Sequence, residues 1–282
     1  LAEVRRLLLL STLPWPIFAR MNRILKTLRL VSRPPAAVLA LIRWLMRNSK
    51  NRRRFAIGAG AAVVVIGAAG ELFLEPRDLP WRPLDIDDRA GFATDTKLAM
   101  IDIGPISWCE RLIDRSAVLE TMSLDAHDGD GGCGWSKAVH IESSNGVTLT
   151  GSPPTAMQCT LAAGAHIWLT SADYRAREIL GSGLARVHHV GTYSCRRMYN
   201  RSSGSMSQHA YANAWDITGF ELDDGRVVSV LKHWRAGGAM QTFLHAVRDD
   251  ACRIFNIVLG PDYNSAHHDH LHVDMGLGLR CS

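Results

Sequence analysis

The fold turns on Ser207-Gln-His-Ala-Tyr-Ala-Asn-Ala-Trp-Asp-Ile-Thr-Gly-Phe-Glu-Leu222, with Asp223-Asp-Gly225 and Arg226-Val-Val-Ser-Val-Leu231 behind it. Ala214–Leu222 reads as a strand, Asp-Asp-Gly offers the positive-φ residue of a tight turn, and Arg226–Leu231 returns as the partner. A second hairpin stands upstream, where Val139-His-Ile-Glu and Val147-Thr-Leu-Thr flank Asn145-Gly146. Between the two lie a helix over Cys159–Leu180, stopped by Gly181, and a strand over Ala185–Tyr193. Further out, Trp108 to about Met122 and Met240–Phe255 have helical spacing, and Leu271–Met275 closes the chain as a short strand. Hairpins and helices in mixed order predict an α+β domain, an antiparallel sheet with flanking helices, over residues 106–282.

Toward the N-terminus the character changes. Residues 1–54 carry 13 Lys or Arg and one acid, Glu3, whereas residues 55–282 hold 19 basic against 26 acidic side chains, a net of −7. The overall charge of +5 therefore belongs to the N-terminal segment, and the acidic remainder gives no sign of nucleic-acid binding. The run 55–74, behind Arg52-Arg-Arg54, is long enough for one transmembrane helix. The positive-inside rule keeps 1–54 in the cytoplasm and exports residues 75–282, with cleavage of the run as a secretory signal as the other route. Residues 1–45 read as an upstream extension, with a start at Met46. Residues 75–105 carry Pro76, Pro80 and Pro83 without a sustained apolar period and read as a linker. All six cysteines lie beyond the run, which fits disulfides in an oxidising compartment better than a structural metal site; 15 pairings are open.

Chemistry concentrates in two places, His209 with Asp216 and His267-His-Asp-His-Leu-His272. Catalytic zinc takes three protein ligands from His and carboxylates and keeps a fourth position for water, whose pKa falls to roughly 7. These segments supply enough donors. With Leu271 in a strand, His270 and His272 share a face about 6.7 Å apart. The seven-residue step from His209 to Asp216 suits a loop His leading into a strand Asp.

The Ser-x-His-x6-Asp and His-x-His pattern resembles the zinc peptidases that include the D-Ala-D-Ala metallopeptidases, lysostaphin-type enzymes and penicillin-insensitive murein endopeptidases. The resemblance implies Zn2+ held on the sheet by His209, Asp216 and His272. A longer set is similar to the extensin-like C-terminal domain family of Gram-negative bacteria: Gly132-Cys-Gly134, Cys159-Thr-Leu-Ala162, Tyr193-Ser-Cys-Arg196, Ser207 to Asp216, Ala251-Cys-Arg-x-Phe255, Leu259-Gly-Pro-Asp-Tyr-Asn264 and the His cluster. Many carboxypeptidase relatives place a general-base Glu shortly before the last zinc His. Here no Glu follows Glu221, so the role passes to His270 with His267. Arg196 stands where some of these peptidases bind a substrate carboxylate.

The expectation is an inner-membrane-anchored, periplasmic zinc peptidase acting on peptidoglycan stem peptides, more an endopeptidase than a D,D-carboxypeptidase. The alternative is a non-catalytic, zinc-stabilised wall-binding module. Other features read more plainly. His188 and His189 are strand residues, and His127 sits in a polar loop that lacks a calcium-loop pattern. Trp215 and Trp234 belong to the core. His268 and Asp269 orient their neighbours. Ser207 lacks a nucleophile elbow.

Overall fold

The computed structural model describes residues 49–150 and 155–282, in two units that meet at Leu74 and Glu75. In the first, helix α1 (Ser49–Phe73) contains 21 residues, Arg53–Phe73, long and apolar enough to cross a membrane. The extension over 1–45, the start at Met46 and most of the basic segment lie outside the described residues.

The second unit is mixed α+β. Its helices are α2 (Thr94–Ile103), α3 (Ile106–Asp114), α4 (Cys159–Leu180), the single turn α5 (Val230–His233) and α6 (Gly238–Ala251). The strands are β1 (Leu119–Leu124), β2 (His127–Asp128), β3 (Gly134–Trp135), β4 (Ala138–Ser144), β5 (Val147–Thr150), β6 (Leu184–Gly191), β7 (Ala214–Leu222), β8 (Val227–Ser229), β9 (Ile257–Leu259), β10 (Leu271–Asp274) and β11 (Arg280–Cys281). The main sheet runs β1-β4-β5-β6-β7-β10-β9-β11 with β8 also on β7; β2 and β3 pair separately. Only the β5/β6 and β9/β11 pairings are parallel, so the sheet is mixed rather than wholly antiparallel.

Local chemistry explains the elements that set the site. Asn145 and Gly146 both take positive φ, 52° and 79°, which a two-residue hairpin turn between twisted strands demands. Helix α4 ends at Gly181 with φ 73°, its N–H returning to the Arg177 carbonyl. This helix is the centre of the core. Trp168 packs edge-on against Trp215 at 5.7 Å and donates its indole N–H to the Val247 carbonyl of α6. Trp168 and Trp215 are both fully buried, and truncating either to Ala costs about 3–5 kcal/mol. Successive residues of a strand face opposite ways, so Trp215 looks toward α4 while Asp216 looks away from it.

Three expectations give way. Residues 75–105 are not a linker: Leu79, Ile86 and Leu98 are buried, and Asp87 reaches the buried His166 of α4 at 3.0 Å. A few well-placed apolar side chains suffice to dock a proline-rich segment that shows no period. The helix expected over Trp108–Met122 breaks into α3 and β1 because Asp87 captures the Ser116 hydroxyl and, at 3.1 Å, the Ala117 N–H. The strand expected over Arg226–Leu231 ends at Ser229, whose hydroxyl accepts the Lys232 N–H and starts α5.

The six cysteines form three disulfides, Cys109–Cys159, Cys133–Cys195 and Cys252–Cys281. With a membrane-crossing type of helix before them, they make an architecture compatible with an anchored domain outside the cytoplasm.

Candidate metal centre

The His209 side chain is set by a short 3-10 turn over Gln208–Tyr211. Ser207 caps it, its hydroxyl accepting the His209 N–H at 3.3 Å, which is the work of this serine. Ala212 then adopts a left-handed conformation, φ 52°, and Asn213 closes onto Gln208 through both backbone and side chain. This reversal folds the seven-residue step back on itself, so His209 and the strand residue Asp216 face one point.

Asp216 and His272 are direct cross-strand partners in the antiparallel β7/β10 pair. Partners in register point to the same face. Residues 270, 272 and 274 alternate onto that face as well, which adds Asp274 to the pair expected from the sequence.

The three donors converge. His209 Nε2 lies 3.1 Å from Asp216 Oδ2 and 3.3 Å from His272 Nδ1, and His272 Nδ1 lies 2.8 Å from Asp216 Oδ1. Tetrahedral N and O ligands at about 2.0–2.1 Å from zinc stand about 3.3 Å apart, so the spacing needs little change. The outer nitrogens decide the sign of the site. His209 Nδ1 must donate to the Thr192 carbonyl at 3.2 Å, and His272 Nε2 donates to Asp274 at 2.9 Å. The inner nitrogens, His209 Nε2 and His272 Nδ1, then face each other and a carboxylate, and without a proton between them all three are acceptors. Three acceptors facing one another require a cation, either a proton or a metal. The side chains are 5%, 14% and 11% exposed for His209, Asp216 and His272. Burial works against the charge on His272, but its hydrogen bonds to the Asp216 and Asp274 carboxylates outweigh it and push its pKa up to about 9. Burial likewise opposes ionisation of Asp216, and the two imidazoles override it, holding the carboxyl far below its usual range. Two imidazoles, one carboxylate and an open side form a donor set that suits a first-row divalent ion such as zinc.

The other site residues expected from the sequence gather at the same place. His270 donates Nδ1–H to Asp269 at 2.8 Å, and its Nε2 lies 3.6 Å from Asp216 Oδ1 at the centre's rim. His267 donates Nδ1–H to Asn264 at 2.8 Å, with its ring 5.2 Å from that of His270. Burial, with His272 and His270 close by, lowers His267 to about 4, so it is neutral at pH 7. Arg196 lines the same cleft of about 520 Å³, and no carboxylate among the described residues pairs with its guanidinium. Asp274, Asn264 and the Thr192 carbonyl were not expected from the sequence. Of these, Asp274 was within reach of the alternation that joined His270 to His272.

Residues read as structural are found in such places. His188 and His189 lie in β6, Trp215 and Trp234 are buried, and His127 contacts Trp135 and Tyr193 away from the cluster.

The fold and the cluster define a disulfide-bonded α+β domain with a bis-imidazole, single-carboxylate centre at one face of its sheet. The family model for the extensin-like protein C-terminus matches residues 107–281, and the chain belongs to that family. Neither a curated protein nor a solved structure matches the chain significantly.

Proposed function

We propose that the chain is a zinc peptidase of the cell envelope, tethered to the inner membrane by α1, with residues 75–282 in the periplasm. It would hydrolyse an amide bond in peptidoglycan stem peptides, as an endopeptidase on cross-links. One observation carries the reading: His209, Asp216 and His272 turn one ligand atom each toward one point in a cleft, and His270 Nε2 lies at its rim, 3.6 Å from Asp216. The resemblance of the motif to zinc peptidases of the wall supplies the substrate class.

Bound zinc would supply Lewis acidity, lowering the pKa of water at its open side and polarising the substrate carbonyl. His270 accepts the proton of the attacking water at Nε2 and returns it to the leaving amine, while Asp269 fixes the tautomer that makes this possible. Neutral His267, held by Asn264, walls the site beside His270. Arg196 pairs with a substrate carboxylate and orients the peptide.

The test is digestion of purified muropeptides by the detergent-solubilised full chain, with metal content measured on the same sample and His209→Ala as control. Zinc near one per chain with metal-dependent loss of cross-linked dimers supports an endopeptidase. Loss of only a terminal D-alanine converts the reading to a carboxypeptidase. Bound zinc with intact muropeptides would overturn the peptidase in favour of a wall-binding module.

A further inference from the structure

The cleft holds a second cation that the reaction does not use. Among the residues that line it, Arg196 and Arg280 are the only Lys or Arg, and its two carboxylates, Asp216 and Asp274, are already taken by His209 and His272. No carboxylate among the described residues pairs with Arg280; its guanidinium stacks on the Tyr263 ring at 5.3 Å, and that ring leans on His267 at 5.6 Å. An exposed arginine ordinarily points to bulk water. Arg280 is exposed, but its guanidinium lies over the Tyr263 ring and its backbone is held from two sides. It sits in β11 in register with Ile257, which is itself in register with Asp274. The next residue, Cys281, is bonded to Cys252.

Register also gives the face. In-register partners share a face, so Arg280 stands on the side of the sheet that carries His272 and Asp274. Two strand spacings of about 4.8 Å separate its backbone from that of Asp274. The guanidinium lies over Tyr263, whose ring leans on His267, and His267 stands 5.7 Å from His272, so an anion held by Arg280 would sit in the same cleft as the metal centre but apart from it. We propose that Arg280 forms an anion subsite of this cleft, which selects peptides bearing a free carboxylate a few residues from the bond presented to the metal. Planar guanidinium matches carboxylate with two parallel hydrogen bonds, and the Tyr263 face pre-orients it at low entropic cost. The identity of the ligand as a wall peptide rests on the proposed function; the anion preference does not.

The experiment uses zinc-loaded full chain in detergent and two soluble cross-linked muropeptides that differ only in a side-chain carboxylate, free or amidated. Affinity is read by calorimetry and cleavage by chromatography, for the native chain, Arg280→Gln and Arg280→Lys. The native chain should favour the free carboxylate by about tenfold to a hundredfold, the span of one charge-assisted pair. Arg280→Gln should bring the preference close to one, and Arg280→Lys should restore part of it. Because the readout is a ratio, a general loss of binding through a disturbed cleft does not imitate the effect. A preference unchanged in Arg280→Gln, or absent from the native chain, overturns the subsite. Cleavage without Arg280-dependent preference would leave the peptidase standing and the subsite refuted, whereas Arg280-dependent binding without cleavage would do the reverse.

Discussion

Asp274 accepts from His272 Nε2 at 2.9 Å through one oxygen and from the Gly276 N–H at 2.7 Å through the other. Asp274→Asn keeps the shape but offers one acceptor to two donors, so an N–H must face an amide NH2 in a buried spot. One lost charge-assisted hydrogen bond is worth about 1.5–3 kcal/mol, which puts the loss of intrinsic zinc affinity at roughly tenfold to a hundredfold. A second effect runs the other way. Asp274 also helps hold His272 at about 9, so near pH 7 zinc must displace a proton, and the variant eases that competition. Hence affinity should be followed against pH with a chromophoric chelator. In the native chain its logarithm should climb by about one per pH unit from 7 and level off near 9. In the variant the break should come at lower pH, onto a plateau about tenfold to a hundredfold lower. Identical breaks and plateaus would refute the reasoning, because Asp274 would then support neither the imidazole nor the metal.

His270→Asn should retain zinc while muropeptide turnover falls about 10²- to 10⁴-fold, as for loss of a general base; unaltered turnover on a loaded site would remove His270 from the mechanism. Burial, with His140 and His188 nearby, lowers buried His189 to about 4. The unfolded chain therefore binds this proton first, and stability should fall by up to about 3 kcal/mol as pH drops from 6.5 toward 4. Urea midpoints for His189→Phe that decline as steeply as those of the native chain over this window would contradict that account. Replacing Cys252 and Cys281 together by Ser frees a loop whose ends are 29 residues apart, and should cost about 3–4 kcal/mol in denaturant titrations under oxidising conditions. A loss below about 1 kcal/mol would mean the unfolded chain is already restrained there.

What the sequence made legible was local. Ala214–Leu222 and Cys159–Leu180 are bounded as their patterns predict, because a three-residue turn, Asp223-Asp-Gly225 with its positive-φ glycine, and a left-handed glycine end them whatever else the chain does. His209, Asp216 and His272 converge as their motif implies, though no spacing rule reveals that the last two are cross-strand partners 56 residues apart; only the sheet register does. Long-range capture accounts for what was hidden. Asp87 cuts the expected Trp108–Met122 helix from a distance of 30 residues at Ala117, and Leu79 and Ile86 enter the core singly, from a stretch whose prolines and charges look like a tether. Arg280 is not legible in the sequence, because a two-residue edge strand has no pattern to read.

The disulfides interlock unevenly. Cys109–Cys159 and Cys133–Cys195 overlap along the chain, while Cys252–Cys281 lies apart from both, so no disulfide bridges the interval 196–251. Within it, the exposed stretch 201–205 borders the cleft. A trypsin nick after Arg201 would therefore divide the chain into two fragments that separate on a non-reducing gel. A nick in 160–194 would leave its fragments joined through Cys133–Cys195. The molecule is two covalent knots on one string, and the string passes open to solvent between them at the edge of the cleft.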